Sequence, residues 1–105
     1  MPEPRGYWIG RIDVHDADAY QGYIAAAGPA YARFGARFLV RGGAIGEAEG
    51  EARSRNVVIE FPTYADALAC YRSPEYQAAR AIREACSDGE LIVIEGHDGP
   101  QPSAA

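Results

Sequence analysis

Four short segments rich in β-branched and aromatic residues alternate with segments that carry apolar residues at helical spacing, and this order constrains the fold most strongly. The predicted strands cover 7–14, 36–41, 56–61 and 91–95. Apolar residues recur three and four positions apart from Tyr20 to Phe34, which predicts a helix capped by Asp16. Thr63 and Ser73 are placed to cap two further helical segments. The order β-α-β-β-α-β predicts an α+β, ferredoxin-like domain with a four-stranded antiparallel sheet.

Glycine and proline mark the ends of several predicted elements. Gly28-Pro29 lies inside the first helix, where the missing amide of the proline predicts a kink. Gly35 is expected to end that helix, and Gly42-Gly43 to turn the chain after the second strand. We expect residues 44–50 to add a short edge strand and Asp88-Gly89 to turn the chain into the fourth strand.

The chain has the size of one domain. It contains 105 residues, of which 48% are hydrophobic, and this content supplies a single core. Residues 1–98 are therefore predicted to form one ferredoxin-like domain, and the Pro-rich residues 99–105 a C-terminal arm. Residues 1–6 lack the apolar core of a secretory signal, and no apolar run is long enough to cross a bilayer. We therefore expect a cytoplasmic protein.

The charge of the chain argues against two classes of partner. The net charge is −5, and all 10 basic residues are arginines. We expect neither nucleic acid nor an anionic membrane to bind such a surface. Cys70 and Cys86 are too few for a metal motif or a disulfide framework, and His15 and His97 are expected at opposite ends of the sheet. No metal and no cofactor is expected.

Alternation along the predicted strands assigns the side chains to two faces of the sheet. One face is wholly apolar and is expected to lie under the helices; it collects Trp8, Ile12, Val14, Phe38, Val40, Val57, Ile59, Phe61, Ile92 and Ile94. The opposite face, called the mixed face below, combines apolar and charged residues, namely Tyr7, Ile9, Arg11, Asp13, Arg37, Leu39, Arg41, Asn56, Val58, Glu60, Leu91, Val93 and Glu95. Because such an apolar patch favours association, we expect the mixed face to be covered.

The charged residues of the mixed face admit two interpretations. The strand order 4-1-3-2, common in sheets of this type, would bring Arg11 and Asp13 near Glu60. Unpaired charges cost several kcal/mol when they are buried, so these groups need partners. They form either an ion-pair network that fixes a dimer or the wall of a ligand cavity.

Three stretches of the sequence resemble a known family. They are residues 34–43 (FGARFLVRGG), 55–62 (RNVVIEFP) and 71–76 (YRSPEY). Over roughly residues 7–98, the chain resembles the bacterial family catalogued as domain of unknown function 1330, of the dimeric α/β-barrel superfamily. The resemblance implies a homodimer in which two ferredoxin-like sheets pair face to face. The superfamily includes cofactor-free monooxygenases, haem-degrading enzymes, muconolactone isomerases and ligand-binding regulators, but this family has no established reaction.

Among enzymatic reactions, acid-base chemistry is the class that the residues of the mixed face favour. Asp13 and Glu60 are the candidate catalytic bases, because a carboxylate in a dry cavity has a tunable pKa. An arginine beside them would hold a carboxylate or an enolate of a small substrate. The candidate substrate contacts are Arg11, Arg41, Asn56 and Ser73, of which the last is also explained as a helix cap.

Two functional hypotheses follow. The first is a homodimeric domain that binds a small organic molecule in a cavity on the mixed face, as a ligand-binding protein or as a cofactor-independent acid-base enzyme or monooxygenase. The second is a non-catalytic structural or interaction module whose charges on the mixed face only fix the dimer. A cavity beside Arg41 and Glu60 favours the first hypothesis, and charges that all pair with one another favour the second.

Overall fold

The computed structural model describes residues 3–104. Residues 1–2 of the predicted domain and residue 105 of the predicted arm lie outside this range. The elements in chain order are β1 (Gly6–Val14), α1 (Ala17–Arg33), β2 (Arg37–Arg41), β3 (Arg55–Phe61), α2 (Tyr64–Arg72), α3 (Pro74–Cys86) and β4 (Ser87–Glu95). A short 3₁₀ helix, Pro102–Ala104, follows.

The four strands form one antiparallel sheet in the order β2-β3-β1-β4. β1 is central, and Trp8 pairs with Ile59 on one side and with Val93 on the other. α1 packs on α3, and α2 packs on β1. The predicted α+β fold class and strand order are therefore confirmed, with the second helical segment divided into two helices at Ser73.

Short-range sequence signals set the ends of the helices. Asp16, Thr63 and Ser73 each accept a hydrogen bond from the backbone amide three residues further along, at 3.1, 3.0 and 3.2 Å. These three predicted caps are confirmed. Gly35 follows α1 with φ of 74°, the left-handed conformation that favours glycine. α1 continues through Pro29 as one helix.

The core lies between the helices and the sheet and is rich in aromatic rings. Trp8, at its centre, is 1% exposed, and its indole Nε1 donates to the carbonyl of Ala67 at 3.0 Å. The ring centres of Phe61 and Tyr76 lie 5.2 and 4.6 Å from that of Trp8. Gly6 lets α2 approach β1, since a Cβ there would stand 2.6 Å from Cβ of Ala67.

The predicted faces of β4 are wrong by one residue. Leu91 and Val93 point toward the helices and pack on the core. Ile92 and Ile94 lie on the mixed face, where they are 49% and 45% exposed. The run Leu-Ile-Val-Ile is apolar at every position, so its own alternation does not select a face. The pairing with β1 selects it instead.

An irregularity in β2 reverses the predicted faces of its last residues. Phe38 keeps its predicted place toward the helices, but the register shifts between Phe38 and Val40. Val40 then pairs with Val58 on the mixed face, and Arg41 pairs with Val57 on the helix side. One extra residue in a strand exchanges the faces of everything that follows it, which is why alternation placed Arg41 on the mixed face incorrectly.

Two predictions of local structure are also wrong. Residues 44–50 carry no strand and belong to the connection between β2 and β3. Asp88 and Gly89 lie inside β4, which begins at Ser87. Gly89 is needed there for close packing rather than for a turn, because a Cβ would stand 2.2 Å from the carbonyl oxygen of Arg11.

Candidate functional site

A partly enclosed cavity lies between the helices and the sheet. Its volume is about 30 Å³, which is room for one or two water molecules. Most of the wall is apolar or aromatic, and the lining residues are Trp8, Gly10, Ile12, Tyr20, Tyr23, Ile24, Tyr31, Phe38, Arg41, Arg55, Val57, Ile59, Arg83 and Leu91. We call this space the helix-side cavity. The sequence predicts a ligand cavity on the mixed face, whereas the helix-side cavity lies on the opposite side of the sheet.

The missing side chain of Gly10 contributes to this space. Along β1, Trp8, Gly10 and Ile12 point in turn toward the helices, so a gap separates two bulky residues. A Cβ at Gly10 would lie 3.2 Å from Cγ2 of Val57 and 3.9 Å from Cδ1 of Leu91. The floor of the cavity is therefore formed by backbone and by side chains of the neighbouring strands.

Three arginines from three elements line the helix-side cavity. They are Arg41 at the end of β2, Arg55 at the start of β3 and Arg83 in α3. Each guanidinium carbon lies over an aromatic ring, at 4.0, 5.4 and 5.8 Å from the ring centre, respectively. Among residues 3–104, none of the three has a carboxylate oxygen within 4.0 Å. The cavity wall is therefore cationic as well as aromatic.

Two of these arginines have an unsatisfied buried nitrogen. Arg83 is 8% exposed, and its Nε has no hydrogen-bond partner among the described residues. The Nε of the half-buried Arg55 has none either. Buried polar atoms are nearly always paired, so a pair of unpaired donors beside one cavity requires an explanation.

Tyrosine hydroxyls form a connected chain at the cavity. The hydroxyl of Tyr23 lies 2.9 Å from that of Tyr76 and 3.1 Å from that of Tyr31. Burial raises the pKa of all three phenols above the ordinary value. The hydroxyls are therefore protonated at neutral pH. The two hydrogen bonds use two of their three protons, so one O–H donor is left for the cavity.

The structure does not bring the predicted site residues together. Asp13 lies at one end of β1, where Arg53 donates to its carboxylate at 2.9 Å and the backbone amide of Ser54 at 2.8 Å. The bonds from Ser54 and Arg53 hold the pKa of Asp13 below its ordinary value. Glu60 lies at the opposite end of β1, beside Tyr7 rather than beside Asp13.

Two further charged residues of the mixed face, Glu60 and Arg11, also have partners within the chain. Tyr7 donates to a carboxylate oxygen of Glu60 at 3.0 Å, and Arg5 lies 3.5 Å from the other oxygen. Arg11 lies 3.9 Å from Glu90, which Arg53 also binds. The charges at both ends of the mixed face are thus neutralised by local pairs.

Two predicted substrate contacts line a shallow groove beneath the connection 42–54. Arg11 and Asn56 lie in this groove, whose volume is about 330 Å³ and whose wall also carries Glu47, Glu49 and Glu51. The side chain of Asn56 donates to the carbonyl of Arg53 at 3.0 Å. The acidic rim makes the groove less suited to an anion than the helix-side cavity.

Ser73, the remaining predicted contact, is occupied in capping α3. It is 5% exposed, and its Oγ donates to the carbonyl of Cys70 at 2.7 Å while it accepts from the Tyr76 amide. Burial raises the pKa of Cys70 to about 12, so this thiol is protonated at neutral pH. Among the residues described, no cluster of His, Cys, Asp and Glu has the geometry of a metal site.

Arg55 and Arg83 are the site residues that sequence reasoning missed. Arg83 follows the buried Tyr76 by seven positions and Ala79 by four, so helical periodicity places it on the buried face of α3. The neighbouring Ile82, although apolar, is 37% exposed. Arg55 precedes Val57 by two positions and therefore lies on the same face of β3. The strand predicted from sequence began one residue later, at Asn56, and so did not include Arg55.

Solved structures with the same fold come from several bacteria. A protein of unknown function from Rhodopseudomonas palustris is 21% identical, with a TM-score of 0.72 over 92% of this chain and 85% of that one. SnoaB, a cofactor-independent oxygenase from Streptomyces nogalater, is 12% identical, with a TM-score of 0.63 over 91% and 96%. A dimeric ferredoxin-like protein of unknown function from Thermobifida fusca is 20% identical, with a TM-score of 0.59 over 89% and 92%. At these identities, the similarity establishes the fold alone.

The sequence itself places the chain in a family. No curated protein matches it. In the part of the chain that the structure describes, no helix is long and apolar enough to span a bilayer. A family profile, however, matches residues 5–97, nearly the whole chain. The chain therefore belongs to the family described as "Domain of unknown function (DUF1330)".

Proposed function

We propose that residues 1–98 form a cytoplasmic, homodimeric domain that binds a small organic molecule, and that the ligand occupies the helix-side cavity. The observation that carries this proposal is the aromatic lining of the cavity together with its three arginines. Ligand sites in proteins are concave and mainly apolar, with a few polar groups that orient the ligand. The location differs from the one predicted from sequence, but the kind of ligand is the same.

The present volume requires that the cavity open when a ligand enters. About 30 Å³ is too little for an organic molecule of several heavy atoms. Arg41 is exposed and rests on the ring of Phe38, 4.0 Å from the ring centre. Phe38 is half-buried on the edge strand β2, and its ring centre lies 5.4 Å from that of Tyr31 at the margin of the core, so both side chains can turn toward solvent while the centre of the core stays packed. They are the side chains that we expect to move.

The mixed face supports the homodimer. Val40 pairs with Val58, Val58 with Ile9 and Ile9 with Ile92, so one row of β-branched side chains crosses all four strands. Ile94 lies next to this row and is 45% exposed in the single chain. A second copy would cover the row with an identical one, as a twofold interface requires. The dimeric ferredoxin-like protein described above has the same fold.

A catalytic role would be a cofactor-independent reaction on the bound molecule, either proton transfer or oxygenation with O₂ as the oxidant. SnoaB shows that this fold serves a cofactor-independent oxygenase in another organism. Asp13 and Glu60 remain proposed bases, but neither lines the helix-side cavity. A ligand in that cavity would therefore have no carboxylate base beside it, which favours binding over acid-base catalysis there.

The second candidate is the interaction module, and the paired charges of the mixed face favour it. Asp13 pairs with Arg53, Glu60 with Tyr7 and Arg5, and Arg11 with Glu90. Such pairs neutralise the face and would fix the orientation of a partner chain without binding any ligand. The two candidates share the dimer and differ in the helix-side cavity.

The experiment that separates them uses Trp8, the single tryptophan of the chain. Its indole N–H gives one isolated NMR signal beside the cavity. Titration with a panel of small aromatic compounds, both neutral and anionic, is expected to shift this signal in a saturable way. Ile24→Phe should weaken the effect because Ile24 lines the cavity, whereas Ile82→Phe, on the exposed side of α3, should not. If no compound moves the Trp8 signal at millimolar concentration, the ligand-binding proposal is wrong and the interaction module remains.

A further inference from the structure

The charge of the helix-side cavity differs from that of the rest of the protein. The chain has a net charge of −5, yet the residues that line the cavity include three arginines and no carboxylate. Elsewhere in the described chain, arginines such as Arg33, Arg53 and Arg80 pair with carboxylates. The positive charge inside the cavity is therefore not balanced by the groups around it.

Leaving these cations unpaired is costly. Arg83 is 8% exposed and its Nε has no partner, and the Nε of Arg55 is also buried without one. Burying an unpaired polar or charged group opposes folding. The aromatic rings beside the guanidinium groups and the neutral hydroxyl of Tyr76 beside Arg83 reduce this cost but supply no negative charge. What the site lacks is an acceptor with negative charge.

The surrounding groups add further donors but no strong acceptor. Tyr23 and Tyr31 are connected by a hydrogen bond of 3.1 Å, and burial keeps both hydroxyls protonated. A bound oxyanion would receive hydrogen bonds from guanidinium groups and from the one hydroxyl proton that the tyrosine chain leaves free. The ring of Trp8 and the aliphatic side chains would cover an apolar, planar body.

We propose that the ligand of the helix-side cavity is an organic anion: a carboxylate, enolate or phenolate on a planar, aromatic-like body, held by Arg55 and Arg83. This inference rests on the proposed function, since it names the class of the ligand that the cavity binds. The planar guanidinium groups of Arg55 and Arg83 contact the anionic oxygen atoms.

The test compares an acid with its uncharged analogue of equal shape. Binding of 1-naphthoate and of 1-naphthamide to the wild-type protein is measured by isothermal titration calorimetry at neutral pH. We expect the acid to bind at least about tenfold more tightly, because a hydrogen bond to a charged group is worth more than one to a neutral group. Arg83→Gln and Arg55→Gln should each reduce the affinity for 1-naphthoate about tenfold or more, and leave the affinity for 1-naphthamide nearly unchanged.

Arg72→Gln is the matched control. It removes one positive charge from an exposed arginine outside the cavity, so it should leave both affinities within a factor of two. If the amide binds as tightly as the acid, the cavity binds small molecules but the anionic class is wrong. If neither compound binds, both the anionic class of the ligand and the proposed function are wrong. Because the acid and amide are compared on the wild-type protein, the test holds even if Arg83→Gln does not fold. Binding of sulfate in place of both compounds would show a site for inorganic anions and would also overturn the proposal.

Discussion

Replacing Ile92 with aspartate should convert the proposed dimer to folded monomers. Ile92 is 49% exposed in the single chain, so a partner can still bury about half of its side chain. Full burial of an isoleucine is worth roughly 1.5–3 kcal/mol, which gives about 1 kcal/mol for each copy and about 2 kcal/mol for a twofold pair. Burying two unpaired carboxylates instead adds several kcal/mol more. A total of about 4–6 kcal/mol corresponds to a dimer dissociation constant about 10³ to 10⁴ times higher.

Sedimentation equilibrium over a range of protein concentrations measures this change directly, and circular dichroism verifies that the fold persists. Ile82→Asp is the matched control, because Ile82 is 37% exposed on α3, away from the mixed face. The control should retain the wild-type dissociation constant. A wild-type protein that remains monomeric at high concentration, or an Ile92→Asp variant that dimerises as tightly as wild type, would refute the assignment of the mixed face as the interface.

Three further perturbations test the packing and the electrostatics, each by urea unfolding. Tyr23→Phe removes the hydroxyl that bridges two other tyrosines, which should lower the free energy of unfolding by about 1–3 kcal/mol; an unchanged value would show that the chain of hydroxyls is not a stabilising network. Gly89→Ala should lower the free energy of unfolding by about 3 kcal/mol or more, because its Cβ would stand 2.2 Å from a backbone oxygen. Gly22→Ala, inside α1 with open space around it, should instead raise it by about 0.5–1 kcal/mol, and equal effects would contradict the close packing. Asp13→Asn should lower the free energy of unfolding at neutral pH, because the lowered pKa of Asp13 means that its ionised carboxyl stabilises the fold. The difference from wild type should shrink as the pH falls below about 4, where the carboxyl becomes protonated. A difference independent of pH would exclude this ionic contribution.

The fold follows from local signals that act over a few residues. Asp16, Thr63 and Ser73 cap helices through bonds to amides three positions away, so each cap is visible in the sequence. The alternation of β1 is equally clear because Trp8 and Ile12 alternate with charged Arg11 and Asp13. These elements were predicted correctly because their own residues determine them.

The parts that were predicted wrongly depend on pairing between distant segments. β4 is apolar on both faces, and its orientation comes from its register with β1. The register shift in β2 has no local signal, and it moves Arg41 to the helix side. Sequence alternation therefore predicted a cavity on the mixed face, beside Asp13, Glu60 and arginines, and gave no indication of the helix-side cavity. Helical spacing indicates that Arg83 lies on the buried face of α3. Arginine is rarely buried, so the apolar neighbour Ile82 is the residue that composition alone would assign to the core.

The most direct test of anion binding in the helix-side cavity is a crystal structure of the protein grown with 1-naphthoate. We expect density for the ring in the helix-side cavity, with the carboxylate within hydrogen-bond distance of Arg55 and Arg83 and with Arg41 and Phe38 displaced. Density in the groove beside Arg11 and Asn56, with the helix-side cavity unchanged, would contradict it.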